Sequence, residues 1–149
     1  MPHSLSSLQI AAGKKYGYSP QQVLDTAQQL YERKFTTYPR SDCEYLPLNQ
    51  RRDVPKILEN LASSGQADLE NWVKGADKGL KSRAWNDSKI TAHHAIIPTT
   101  VRCPYDSLTP VQKNIYFLIA QAYIAQFYGV HEYDSQRIII NCAQEDFVA

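Results

Sequence analysis

The fold class is decided by residues 109–123, which read TPVQKNIYFLIAQAY. Thr109 and Gln112 have the spacing of a capping box, and Pro110 suits the first helical position, where no backbone N–H donor is needed. The apolar residues that follow recur at the helical period and form one face, made of Val111, Ile115, Leu118, Ile119, Ala122 and Tyr123. The sequence therefore predicts a helix that begins at Pro110 and stops at Gly129.

Four earlier stretches also have helical signals. Ser19-Pro20-Gln21-Gln22 is a second capping box with proline, and it predicts a helix over about 20–34 whose buried face includes Val23, Leu24, Ala27, Leu30 and Tyr31. An earlier helix is predicted from near Ser6 or Ser7 to Gly17, and another over about 55–63, capped by Asp53. Residues 67–73 predict a short helix within a long loop over about 65–89.

The end of the sequence has a different pattern. Residues 137–141 read RIIIN, a β-branched run that predicts a strand, and residues 146–149 follow without a turn or a cap signal. A strand needs a partner, and only a weak one is evident nearby. We therefore expect a mainly α (α+β) fold in which residues 1–133 form a helical domain and residues 134–149 begin a neighbouring β-rich domain.

Composition limits the possible classes. The 149 residues are 43% hydrophobic, enough for the core of one domain. No apolar run has the length of a membrane span, and no secretory signal is evident, so we expect a cytoplasmic protein with no membrane partner. Three widely spaced cysteines, Cys43, Cys103 and Cys142, lack zinc-site spacing and are expected to be reduced.

The net charge of +1 is unevenly distributed. Residues 1–104 hold 14 Lys and Arg against 10 Asp and Glu, while residues 105–149 hold two against five. A solvated surface of mixed sign explains much of this pattern, but the basic half is also the half that contains the motifs described next. Several cations there could contact phosphates, and Lys81, Arg83 and Lys89 of the predicted 65–89 loop are candidates.

Two motifs point to phosphodiester chemistry: residues 36–42, TTYPRSD, and residues 91–99, TAHHAIIPT. A tyrosine hydroxyl has an ordinary pKa near 10, so attack on phosphorus requires nearby cations or a base. Arg40 suits this need because a guanidinium stays charged and can hold two phosphate oxygens. Pro39 favours an extended Tyr38, which would let Tyr38 and Arg40 face one groove. With a histidine, these are the parts needed to cut and rejoin a phosphodiester through a phosphotyrosine.

Each motif alone also fits an ordinary role. Tyr38 is one of ten tyrosines and lies in what could be a simple loop. Adjacent histidines such as His93 and His94 point to different faces, which makes them a poor metal chelate, although either could hydrogen-bond a phosphate. A non-catalytic helical nucleic-acid-binding module, in which Tyr38 stacks on a base, is therefore the alternative. Tyrosine recombinases and rolling-circle relaxases fit less well in motif order and histidine spacing.

The joint pattern resembles type IA DNA topoisomerases, and among them the bacterial topoisomerase III branch. The matching segments occur in the family's order and cover nearly the whole chain, at residues 2–12, 27–32, 37–42, 92–99 and 108–110. The resemblance implies that Tyr38 attacks single-stranded DNA and leaves a 5′-phosphotyrosine. It further implies that Arg40 holds the scissile phosphate, that His93 assists cleavage and that His94 occupies a more variable, DNA-contacting position.

Further expectations come from the same resemblance. Asp42 and Thr99 match motif positions to which we assign structural roles behind the reacting groups. The family fold implies a compact helical domain with a winged-helix-like part that is followed by an arch domain. The Mg²⁺ of the family is bound by an acidic domain that has no counterpart here, so we expect no metal ligands in this chain and no supercoil relaxation by the chain alone. The implied partners are single-stranded DNA and the remaining domains of a bacterial parent enzyme that acts on nucleoid or plasmid DNA.

Overall fold

The computed structural model of the chain describes residues 1–129, 139–142 and 145–148. Within them the fold is mainly α, as predicted. The helices are α1 (Leu5–Tyr16), α2 (Pro20–Glu32), α3 (Val54–Ala62), α4 (Ala67–Gly75) and α5 (Pro110–Ile124). Short 3₁₀ turns lie at Leu48–Asp53, Asp87–Lys89, Tyr105–Ser107 and Ala125–Phe127. The strands are β1 (Ile139–Cys142) and β2 (Glu145–Val148).

Helix α5 is the centre of the core. It begins as predicted, because the Thr109 side chain accepts from the Gln112 backbone and the Gln112 side chain accepts from the Thr109 backbone. Residues 115–120 are buried all round, because α1, α2 and α4 pack against this helix. The α-helix ends at Ile124, and a 3₁₀ turn continues the chain toward Gly129, so the predicted stop lies a turn too late.

Helices α1 and α3 begin differently from the prediction. The N-cap of α1 is Ser4, which forms a capping box with Ser7, so the expected start near Ser6 or Ser7 is too late. Gly17 ends α1 in the left-handed conformation, as expected. Asp53 precedes α3 but its side chain makes no cap bond, because a 3₁₀ turn leads directly into the helix and gives Asp53 itself a helical backbone.

Helix α2 positions the site that follows it. Ser19 caps it by accepting from the Gln22 backbone, and it ends at Glu32, slightly before the predicted boundary. Val23, Ala27 and Leu30 are buried as predicted. Tyr31 is 39% exposed, so its assignment to the buried face is wrong.

The predicted 65–89 loop is partly helical. Helix α4 extends to Gly75, and the irregular chain is confined to residues 76–86 before the 3₁₀ turn Asp87–Lys89. The loop in this structure is therefore shorter than the sequence indicated.

The strand predicted over 137–141 is found at Ile139–Cys142, and its first two positions lie outside the described residues. It pairs with Glu145–Val148 as an antiparallel hairpin, in a register that puts Ile139 opposite Val148. The strand thus has a partner within the chain, in a two-stranded sheet of the kind that is only marginally stable alone. Its assignment to a neighbouring domain stays a prediction. So does the winged-helix-like part, because β pairing within residues 1–129 consists of isolated bridges.

Two further features bear on the composition. Cys43 and Cys103 are buried free thiols, and burial raises the pKa of Cys103 to about 12, while the Cys142 side chain is outside the description. Across the described ranges, every helix is too short or too polar to span a lipid bilayer.

Candidate active site

The turn after α2 delivers the chain to the tyrosine motif. Phe35 N donates to Leu30 O at 3.0 Å and Lys34 N donates to Tyr31 O at 2.7 Å, which is the bonding pattern of a Schellman motif. Lys34 occupies the left-handed position with φ of 63°, where glycine is usual. Thr99 holds this turn from the histidine motif, since its hydroxyl donates to Lys34 O and its backbone N donates to Phe35 O at 3.1 Å.

Thr37 joins the tyrosine and histidine motifs. Its hydroxyl donates to Ala95 O at 3.1 Å and accepts from Ile97 N at 3.0 Å. Its backbone N donates to Ile97 O at 2.9 Å. A bridge between Thr36 and Pro98 continues the pairing. The two motifs, distant in sequence, therefore form one hydrogen-bonded unit.

This unit brings Tyr38 and His93 together. Their ring centroids are 4.5 Å apart with 36° between the planes. Tyr38 is half-buried and His93 is exposed, so both rings lie at the surface end of the motif rather than in the core. Tyr31 packs its ring edge-on against Tyr38 at 5.7 Å. The Tyr38 ring thus has an aromatic neighbour from α2 and another from the histidine motif.

Arg40 lies two residues beyond Tyr38 and is exposed. Ser41, which is buried, fixes the backbone there by accepting the Leu5 N–H at 2.7 Å, so the start of α1 packs against this segment. Arg40 lines a shallow groove of about 250 Å³ with Leu5 and Gln9 of α1. The guanidinium is free to meet a ligand on this open surface.

Asp42 lies at the junction of that groove with a second one of about 480 Å³. The second groove is lined by Ser4, Ser6, Asp42, Cys43, Glu44, Tyr45, Lys89 and Thr91. The exposed Asp42 carboxylate therefore lies beside the site without a direct role in holding Tyr38, and the structural role assigned to it stays a prediction. Thr99, in contrast, holds the Lys34 turn directly.

His94 is placed differently from His93. Its Nδ1 is 2.8 Å from Ala95 O and its Nε2 is 2.9 Å from Gln50 Nε2. The tautomer that satisfies both contacts has Nδ1–H donating and Nε2 accepting. Burial lowers the pKa of His94, which favours this neutral ring. Both ring nitrogens are engaged inside the protein, and its contact with DNA stays a prediction.

The remaining predicted DNA contacts are exposed. Lys81 and Arg83 lie in the irregular chain of residues 76–86, and Lys89 lines the larger groove near Asp42. The carbonyl of Lys89 also accepts from Cys43 Sγ at 3.6 Å, which ties this part of the chain to the segment that follows Tyr38. The structure therefore brings Lys89 close to the motif, and Lys81 and Arg83 lie earlier in the same loop.

Sequence reasoning missed Thr37, Tyr31 and Lys34 as parts of this site. The sequence showed Thr37 only as the neighbour of Tyr38, since the residues to which it hydrogen-bonds lie far along the chain. The position of Tyr31, in the last turn before the motif, was a possible signal for contact with Tyr38. Lys34 could not be identified, because nothing in its side chain marks a left-handed backbone.

A cation site is not found in this part of the protein. Across residues 1–129 and the two strands, no group of three or more His, Cys, Asp or Glu side chains is arranged to hold a metal ion. The described residues therefore offer no ready-made group of protein ligands for Mg²⁺, and the expectation that the family's metal is held elsewhere stays a prediction.

Comparison with known proteins gives one consistent result. The sequence model of the DNA topoisomerase family matches residues 1–149. A protein named DNA topoisomerase 3 from Vibrio cholerae is 45% identical over 150 residues, which is 100% of this chain and 23% of the relative. The Haemophilus influenzae protein of the same name is 43% identical over 152 residues, with the same coverage. That of Bacillus subtilis is 33% identical over 150 residues, which is 99% of this chain and 20% of the relative. The chain thus spans about a fifth of the length of the curated relatives it matches.

Proposed function

Because the chain belongs to the DNA topoisomerase family, on its bacterial topoisomerase III branch, we propose that it is the part of a type IA enzyme that cuts and reseals single-stranded DNA with Tyr38. The parent enzyme would act on chromosomal or plasmid DNA in the bacterial cytoplasm. Strand passage would occur through the gap while the DNA end stays attached to this domain.

The observation that carries the proposal is the ring contact of 4.5 Å between Tyr38 and His93. The two residues come from separate motifs, and both lie at an accessible surface rather than in the core. A role in core packing would bury these rings, whereas attack on DNA needs the phenol to be reachable. The open groove at Arg40 adds an exposed cation two residues along the chain from Tyr38.

The proposed reaction is a transesterification. The Tyr38 phenol loses its proton, its oxygen forms a bond to phosphorus, and the bond from phosphorus to the 3′ oxygen breaks. The leaving oxygen gains a proton and becomes a 3′-hydroxyl, while the 5′ side stays attached through the phosphotyrosine. One phosphate ester replaces another, so resealing by attack of the 3′-hydroxyl needs no ATP.

Arg40 and His93 have separate roles in this scheme. Arg40 would bind non-bridging phosphate oxygens and stabilise the charge that builds up in the transition state. His93 would hydrogen-bond the same phosphate or the leaving oxygen from its position beside the Tyr38 ring. Mg²⁺ chemistry is assigned to a part of the parent outside this chain, and no step here depends on it.

The test uses a chimaera in which these 149 residues replace the matching segment of the Vibrio cholerae topoisomerase 3. We expect the chimaera to relax negatively supercoiled plasmid with Mg²⁺ and to form a denaturant-resistant adduct with the 3′-labelled fragment of a cut oligonucleotide, whose 5′ end is the one joined to the tyrosine. Tyr38→Phe should abolish both, and Tyr128→Phe, a matched variant at an exposed tyrosine after α5, should not. The 149-residue chain alone should not relax plasmid.

The alternative of a non-catalytic binding module gives the opposite result. If Tyr38 only stacks on a base, phenylalanine would retain the stacking and the chimaera with Tyr38→Phe would be as active as its parent. Adduct formation by the Tyr38→Phe variant, or robust relaxation by the chain alone, would refute the proposal.

A further inference from the structure

Arg51 holds the loop that follows α4. Its guanidinium donates to the carbonyls of Leu80 at 3.0 Å, Gly79 at 3.2 Å and Lys78 at 3.5 Å. The same group lies 5.3 Å from the ring centroid of Trp85, a buried residue near the end of this loop. A single side chain thus fixes successive backbone carbonyls and stacks on an aromatic anchor.

Further contacts fix the rest of the loop. Leu46 pairs with Trp85 as a parallel bridge, in which Leu46 N donates to Ala84 O at 2.8 Å and Asn86 N donates to Leu46 O at 3.0 Å. On the other side, Ser82 Oγ donates to Gln126 Oε1 at 2.8 Å. The loop is therefore held between the segment after the tyrosine motif and the end of α5.

On this loop the carboxylates are hydrogen-bonded within the protein, whereas the cations are exposed. Residues 76–89, here named the basic loop, hold Lys78, Lys81, Arg83 and Lys89 against Asp77 and Asp87. Both carboxylates bind backbone, since Asp77 accepts from Gly79 N and Asp87 accepts from Leu48 N, each at 2.9 Å. All four cations are exposed, and among the described residues the ion pairs found involve Arg52 and Lys56 instead.

We propose that the basic loop is a preformed contact for the phosphate backbone of single-stranded DNA and that Arg51 is its positioning residue. The inference rests on the proposed function, because it makes this DNA the strand that Tyr38 cuts. The loop is joined to the tyrosine segment at Cys43 and at Leu46, so its cations stand at a fixed place relative to the site. Its order comes from protein contacts and does not depend on DNA.

The role of Arg51 depends on shape as well as charge. A planar guanidinium can donate to several carbonyls and stack on a ring at once, whereas an ammonium acts as a compact point charge. Arg51→Lys therefore keeps the charge but loses most of the anchoring. If Arg51 acted only by attracting DNA, lysine would replace it well.

The test measures binding of the 149-residue chain to a fluorescein-labelled twenty-nucleotide oligothymidylate by anisotropy at several NaCl concentrations. Each phosphate contact on single-stranded DNA contributes about 0.7 to the slope of log K against log salt. Lys81→Gln with Arg83→Gln should lower the magnitude of the slope by about 1.4. Arg51→Lys should also lower the magnitude of the slope. Adding Arg51→Lys to the double variant should lower the slope little further. Arg52→Lys, on an exposed neighbouring residue, is the matched control and should leave the slope unchanged.

Several outcomes would overturn the inference. These are an unchanged slope in the Lys81/Arg83 variant, full retention of the slope in Arg51→Lys, or additive effects of the two changes. The Lys81/Arg83 variant alters exposed side chains only, so it tests the surface even if Arg51→Lys destabilises the fold. In the chimaera, the same double variant should raise KM for oligonucleotide cleavage and leave kcat unchanged. If the chimaera with Tyr38 intact formed no adduct while the Lys81/Arg83 variant of the chain still lowered the salt slope, the proposed function would be refuted. The role of the basic loop would not be.

Discussion

Thr37→Val should test the hydrogen bonds that join the tyrosine and histidine motifs without changing the side chains to which the chemistry is assigned. Valine has nearly the shape of threonine but lacks the hydroxyl. The backbone N of Ile97, a residue that is 2% exposed, would lose its acceptor, while Ala95 O would keep the His94 ring as a partner. Leaving one buried N–H unsatisfied costs about 1–3 kcal/mol, so we expect the free energy of unfolding to fall by about 2 kcal/mol.

The assay is urea unfolding of the 149-residue chain followed by circular dichroism. With a slope of about 2 kcal/mol per molar urea, the midpoint should fall by about 1 M. Thr37→Ser is the matched control, because it retains the hydroxyl and removes only a methyl group, which is worth less than about 1 kcal/mol at a half-buried position.

The same substitution should affect the site. In the chimaera, loss of registry between His93 and Tyr38 should lower the rate of adduct formation at saturating DNA by about 10- to 100-fold. Two results would refute this reasoning: a Thr37→Val midpoint equal to that of Thr37→Ser, or a destabilised variant whose adduct forms at the normal rate. The first would mean that the hydroxyl does not hold Ile97, and the second that the joint does not position the site.

Two further predictions concern the turn after α2 and the half-buried histidines, His3 and His94. Lys34→Gly should raise the free energy of unfolding by about 1 kcal/mol in the same assay, because glycine adopts φ of 63° without the cost paid by an L side chain, and Lys34→Ala should change it little. Burial lowers the pKa values of His3 and His94, so the unfolded chain binds more protons than the folded chain as the pH falls below 6.5. Urea midpoints should therefore decrease from pH 7 to pH 5, and by less in His94→Gln; an equal decrease in both proteins would contradict the assignment of a neutral, half-buried His94.

The helices could be predicted where local chemistry alone sets their ends. The start of α5 depends on Thr109 and Gln112, which are close in sequence and satisfy each other. The start of α1 could not be predicted to the residue, because Ser4, Ser6 and Ser7 all have cap chemistry. Ser4 becomes the cap while Leu5 N bonds the distant Ser41 O, a long-range contact that no local pattern contains.

The same distinction applies to the site. Tyr38, Arg40 and His93 could be proposed from the sequence because their side chains suit phosphate chemistry, and their roles stay predictions. Side-chain chemistry alone could not distinguish the two histidines, since only tertiary contacts show that His94 is engaged by Gln50 while His93 is exposed beside Tyr38. Nor could the basic loop be recognised as anchored, because the anchor is Arg51, which in sequence is one more cation.

The position of Thr99 and Thr37 has a consequence for how DNA could be handled. Thr99 holds the strained turn before the tyrosine motif, and Thr37 holds the histidine segment beside it. A displacement between Tyr38 and His93 would break both sets of bonds, including one at a buried N–H. If Tyr38 carries the cut 5′ end, opening a gap by moving this whole helical unit therefore costs less free energy than rearranging residues within the unit. Tyr38 and His93 would then return together for resealing.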